Sequence, residues 1–218
     1  MSRERIFAGR RLAWFIGFAA AMALVEAAVV VYLRELYYPD GFGFPLVAIP
    51  TALYLTELAR EAATIIMLAA LAVLTVRRPL ARFLVFSFCF AVWDIGYYFW
   101  LKLLLGWPGS LLEPDILFLI PLPWIAPVLA PIVVSVCLIA AALIPDRLFA
   151  ELKPPGAAAW TAAVAGGVLV IGSFLAGTST LIQQTTPENY PWWLFIAGIL
   201  SAAVGFFLWI NKLKSGQG

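Results

Sequence analysis

A chain of 218 residues that is 64% hydrophobic and only 12% charged, with a mean hydropathy of +0.98, is no soluble globular domain. Apolar runs of about 20 residues, enough to cross ~30 Å of hydrocarbon, recur along its length. The net charge of +2 is too small for nucleic-acid binding. Histidine is absent, which excludes His-ligated haem, His-containing zinc and di-iron sites, and His acid–base catalysis. No metal or cofactor is expected.

The first element is a span over Leu12–Leu33, preceded by Arg3, Arg5, Arg10 and Arg11. Arg10-Arg11, the apolar run and Ala21-Met22-Ala23 also resemble a secretory signal peptide. The run continues well past that point, which favours an uncleaved span. The segment Arg34–Pro50 is aromatic but studded with Pro and Gly, so it reads as an interfacial or re-entrant cap, or as an outer loop resting among headgroups. A second span covers Thr51–Val76. The Arg77-Arg78-Pro79 turn leads into a third, Phe83–Leu105.

Gly106–Pro123 repeats the Pro-broken, apolar character of the earlier outer segment. The fourth span is expected over Trp124–Leu143, kinked at Pro127 and Pro131. Pro154-Pro155-Gly156 separates it from a fifth, Ala157–Leu175, and the sixth is Trp192–Ile210. Glycines and alanines of spans five and six, among them Gly166, Gly198 and Gly205, offer small faces for scaffold packing or for contact with another chain. Cys89 and Cys137 form no CxxC pair and read as small buried apolar side chains.

The fold class is therefore an all-α polytopic transmembrane bundle of about six spans. Residues 1–218 read as one membrane domain, with a four-helix part over 12–143 and a two-helix scaffold over 157–210. Eleven basic residues fall on one side. They are Arg3, Arg5, Arg10 and Arg11, then Arg77, Arg78 and Arg82, then Arg147, Lys153, Lys212 and Lys214. By the positive-inside rule both termini lie in the cytoplasm of a cell-membrane protein.

Spans one to three carry ionisable residues that a bilayer tolerates only with a partner or a role. Counted by helical rise from the outer ends, Glu26, Glu57, Arg60, Glu61 and Asp94 all lie between about 9 and 16 Å deep. Glu57, Arg60 and Glu61 share one face of span two. Asp94, Tyr98 and Lys102 share one face of span three, and Glu26 and Arg34 one face of span one. Together with Asp115 in the outer segment these form the candidate substrate- or ion-binding set. Four acids against one arginine in that band predict that an acid is protonated, or that water or a cation enters from outside. A purely structural clamp by Arg60 is a nearly equal alternative, and a carboxylate site for Mg²⁺, Mn²⁺ or Ca²⁺ a minor one. The spacing Glu26…Arg34 and Asp94…Lys102 also hints at a two-helix repeat.

Trp93-Asp94 on a membrane helix, followed by a tryptophan and proline loop before another span, is similar to a stretch of the membrane-integral lycopene cyclases. Their Pro-x-Glu-Glu element has here Ile120-Pro121-Leu122-Pro123-Trp124, without acids, so the resemblance assigns no membership. Walker, Rossmann, HExxH and GxSxG signatures are absent. Three functions stay open. The first is handling of a proton, ion or small solute. The second is an accessory subunit, possibly respiratory, meeting a partner or a second copy through spans five and six. The third is an intramembrane enzyme acting on a lipid or isoprenoid.

Overall fold

The computed structural model describes residues 5–148, 152–178 and 189–215. Among them six helices are long and apolar enough to cross a membrane. They are α1 (Gly9–Tyr37), α2 (Thr51–Thr75), α3 (Pro79–Leu105), α4 (Leu129–Leu148), α5 (Ala157–Leu175) and α6 (Trp192–Ser215). Successive helices run in opposite directions. The described basic residues Arg10, Arg11, Arg77, Arg78, Arg147 and Lys212 therefore gather at one end, the basic end. Arg3 lies outside the described residues.

Local chemistry sets the boundaries. Pro79 opens α3, where its missing N–H costs no helical bond. Gly106 closes it with φ +68°, a left-handed conformation that suits glycine. Val76 and Arg78 are extended, so the turn between α2 and α3 is tight, as Arg77-Arg78-Pro79 predicts.

Two expectations need correction. Trp124–Pro127 is not the start of the fourth helix but a strand, β2, paired antiparallel with β1 (Pro114–Phe118). Asp115 faces Ala126 and Ile116 faces Ile125 across this hairpin, with an irregularity between Ile116 and Phe118. Val128 N–H donates to Glu113 O at 3.0 Å and Leu129 N–H to Leu111 O at 2.8 Å. The hairpin thus satisfies much of its own backbone, as a non-helical segment against apolar helices must. Second, Pro127 and Pro131 kink no span: Pro127 ends β2 and Pro131 sits in the first turn of α4. The proline inside α4 is Pro145.

Ala19, Ala23 and Ala27, at successive turns of α1, are fully buried, and a side chain on Gly96 of α3 would meet the Ala23 Cβ at 2.9 Å. Small residues let these two backbones approach where lipid gives no hydrophobic drive. The same device joins α5 to α6, the most extensively packed pair. A Cβ on Gly166 would lie 2.6 Å from Ala202 N, and one on Gly205 2.6 Å from Ala159 O. These small faces are spent within the chain. The α5–α6 pair rests on β2 and α4, where Val170, Phe174 and Phe195 cluster with Ala126 and Ala130.

By contrast α1 and α2 make no extended backbone packing. The surface bears large apolar side chains, Leu36, Leu74 and Trp193 among them, as lipid contact requires. Cys89 is buried as expected, but Cys137 is exposed on α4, so that reading holds for one cysteine only.

The segment ahead of α1 is held by the end of α4. Asp146, in the last turn of α4 and 1% exposed, accepts the Ile6 N–H at 3.0 Å and the Phe7 N–H at 2.9 Å. Phe7 then packs on Phe15 and Phe88.

Candidate functional site

The buried face of α2 reads Glu57, Glu61, Thr64, Leu68, Ala72. Its upper half is polar, so α2 can be held only by groups that answer those side chains. Arg60 does most of this. Its Nη2 and Nε donate to Glu57 Oε2 at 2.6 and 2.9 Å, and its Nη1 forms a salt bridge with Glu26 of α1. The Thr64 hydroxyl donates to the other Glu26 oxygen at 3.1 Å. Glu61, one residue on, instead accepts the Leu119 N–H at 2.9 Å, tying α2 to the hairpin.

A second cluster lies nearer the hairpin. Arg34 Nη2 bonds Asp115 Oδ1 at 3.0 Å, with side-chain exposures of 7% and 2%. The guanidinium is held between Phe42, 4.0 Å from its ring centroid, and Trp107, at 3.8 Å. This stacking replaces the hydration that a buried cation loses. Arg34 Nη1 and Asp115 Oδ2 make no hydrogen bond among the described residues. Burial pushes the Asp115 carboxyl above its ordinary range, against the pull of the Arg34 guanidinium.

Asp94 shares no hydrogen bond or salt bridge with either cluster among the described residues. Its carboxylate accepts the Ser135 hydroxyl of α4 at 2.8 Å, its one hydrogen bond among the described residues, and no salt bridge to it is formed there. It lies deep in the bundle yet is partly accessible, because it opens onto a cavity of about 560 Å³. That cavity is lined by α3, α4 and the hairpin on one side and by the α5–α6 pair on the other. Phe90, Phe118, Trp124, Val134 and Phe174 are among its walls, and Asp94 carries the one carboxyl among the lining residues. Trp124 Nε1, buried in the same wall, has no acceptor among the described residues. The cavity therefore offers a hydrocarbon-like interior with a carboxyl and an indole N–H in its lining.

The predicted set is thus partitioned. Glu26, Glu57 and Arg60 meet in one cluster, with Glu61 beside it. Arg34, Asp115 and Tyr98 meet in another, Tyr98 being within electrostatic reach of Asp115. Asp94 faces the cavity. Tyr97 lies among them, feeling Asp115, Arg34, Arg60 and Asp94. Lys102 does not join. Its Nζ donates to Gly106 O at 2.9 Å and Pro108 O at 2.7 Å, capping the C-terminus of α3 as a last-turn cation does. Arg34 and Lys102 thus play different parts, and the spacing shared by α1 and α3 carries no common geometry. Among the described residues no set of carboxylates converges to hold a metal.

Ser135 was not foreseen: one hydroxyl in an apolar span carries no pattern. Asp146 was missed because its partners are backbone N–H groups 139 and 140 positions away.

Six apolar membrane-length helices closed by a hairpin, with ionisable side chains turned inward, define a polytopic integral membrane protein. No family model, curated protein or solved structure matches the chain.

Proposed function

We propose that this protein handles a small, membrane-soluble solute, held in the cavity with its polar group at Asp94. The observation that carries the reading is the Asp94–Ser135 pair in the wall of an otherwise apolar cavity of about 560 Å³. Pockets that are mostly apolar with a few placed polar groups are the usual form of small-molecule sites. A carboxyl beneath the membrane surface without a cation beside it has a role to account for. The arginines support the same choice. Arg60 and Arg34 are engaged by Glu26, Glu57 and Asp115, so they tie α1, α2 and the hairpin to one another and leave Asp94 without a cation. In this reading the chain sits in the cell membrane with the basic end and both termini in the cytoplasm, and the hairpin closes the outer side.

The test is chemical. The chain is purified from its native membrane in mild detergent, alongside Asp94→Leu, and extracted small molecules are compared by mass spectrometry. The reading expects an apolar compound with a hydroxyl, carbonyl or amine, stoichiometric in the wild type and depleted at least ten-fold in Asp94→Leu. Equal retention by both folded proteins, or retention of bulk lipid alone, overturns it.

A further inference from the structure

Four aromatic residues run along the wall of the Asp94 cavity: Phe90 of α3, Phe118 of β1, Trp124 of β2 and Phe174 of α5. Successive ring centroids are 6.3, 5.6 and 6.0 Å apart, so the rings follow one another without a break. Phe90 precedes Asp94 by one turn of α3, about 6 Å of rise, which puts the carboxyl on the same helix face as the first ring.

The charge of the wall is one-sided. Asp94 carries the one carboxyl, and no lysine or arginine is among the lining residues. Arg34 and Arg60 bond Asp115, Glu26 and Glu57 instead. Ser135 donates a hydrogen bond but brings no charge. An ionised carboxyl in an apolar interior needs a counter-charge, and among the described residues the fold supplies none. An inorganic cation such as Ca²⁺ or Mg²⁺ asks for several oxygens, which one carboxyl and one hydroxyl do not provide. An ammonium group on a carbon skeleton needs one anion and is attracted to aromatic rings.

The mouth of the cavity selects in the same direction. Cys137 of α4 and Phe207 of α6 line it yet are exposed, and both lie within helices of membrane length. The cavity thus opens sideways onto lipid between α4 and α6. An occupant that enters there is dissolved in the bilayer, so its ammonium group carries hydrocarbon.

We infer that the solute is a lipophilic organic cation, an amine or quaternary ammonium compound, with its charge on Asp94 and its hydrocarbon along Phe90, Phe118, Trp124 and Phe174. This rests on the cavity being a solute site and specifies what that site takes. The neutral competitor is an alcohol, whose hydroxyl donates to Asp94 and accepts from the Trp124 indole N–H but leaves the carboxylate charge unanswered.

The test is isothermal titration calorimetry of the full chain in phosphatidylcholine nanodiscs, with empty discs as the baseline. The probes are phenylpropyl trimethylammonium and the neutral alcohol of the same shape, in which carbon replaces the nitrogen and a hydroxyl replaces one methyl. One ammonium ion is expected to bind saturably to wild type, and on the order of ten-fold more weakly to Asp94→Asn. Phe118→Leu should weaken it about three- to ten-fold. Glu35→Gln, which removes the same charge from an exposed position on α1, should bind it as wild type does. Equal weakening by Glu35→Gln and Asp94→Asn would mean diffuse negative charge and overturns the inference. So does unchanged binding to Phe118→Leu, alcohol binding within about ten-fold of the ion, or a wild type that binds no ion saturably. Failure of the wider reading is separate: alcohol bound by wild type and lost from Asp94→Leu leaves a site for neutral solutes, whereas no probe bound and an unchanged extract from Asp94→Leu removes both. Should Asp94→Asn fail to fold, the preference of the wild-type chain for ion over alcohol decides the charge by itself.

Discussion

The guanidinium of Arg60 on α2 and the carboxyl of Glu26 on α1 form a salt bridge between two helices that lack extended backbone packing. With Glu57 on the second side of the guanidinium, one side chain ties α2 to α1 where close packing does not.

Removing Arg60 alone should therefore be severe. Arg60→Met leaves two carboxyls without their cation, and breaking such a pair costs about 3–5 kcal/mol. Thermal unfolding in detergent should fall accordingly. The neutral combination Arg60→Met with Glu26→Gln and Glu57→Gln should recover most of the loss. A triple variant as unstable as the single one would show that the arginine acts in some other way.

Arg34→Lys keeps the charge next to Asp115 but loses the flat group that stacks on Phe42 and Trp107. The expected cost is about 0.5–2 kcal/mol, with a change in Trp107 fluorescence, since the indole loses the guanidinium stacked on it. Unchanged emission and stability would remove the stacking from the account.

The crossing of α5 and α6 tolerates no side chain at Gly198, where a Cβ would lie 2.8 Å from Gly166 O and 2.9 Å from Val170 N. Gly198→Leu should cost at least about 1–3 kcal/mol through overpacking. Gly167→Ala, next to the crossing but with nothing within 4 Å, should be neutral or slightly stabilising as a helix substitution. Paired unfolding curves decide it, and similar behaviour of the two variants would contradict the crossing.

Asp146→Ala strands the buried N–H groups of Ile6 and Phe7, each worth about 1–3 kcal/mol if left unpaired. Hydrogen exchange at those two amides should rise well before the helices themselves open. Protection equal to wild type would mean that the aromatic contacts of Phe7 alone retain the segment.

Hydropathy and charge placed all six helices because membrane burial acts on whole segments. What they misjudged was local. Trp124–Pro127 is apolar enough to join the next helix, and a short apolar run does not distinguish strand from helix. Three nearby prolines, Pro121, Pro123 and Pro127, were the signal against it. Depth arithmetic grouped Glu26, Arg60 and Asp94 in one band, but depth carries no information on which neighbour each helix turns towards. Asp94 hence faces Ser135 on α4 while Glu26 faces α2. Lys102 was legible as a cap from Gly106, four residues on, had the end of the helix been weighed above its face.

The hairpin pair also constrains how this chain is made. Arg34 is synthesised 81 positions before Asp115, so the emerging cation meets its carboxyl only after α2, α3 and the start of the hairpin have followed. Until then a guanidinium at the hairpin end of α1 is kept hydrated or shared with headgroups, since an unpaired charge is expensive within hydrocarbon. Closure of Phe42 and Trp107 over it is thus a late event in biogenesis. A ribosome-stalled intermediate ending before Asp115 should leave Arg34 open to water-soluble reagents that the finished protein excludes.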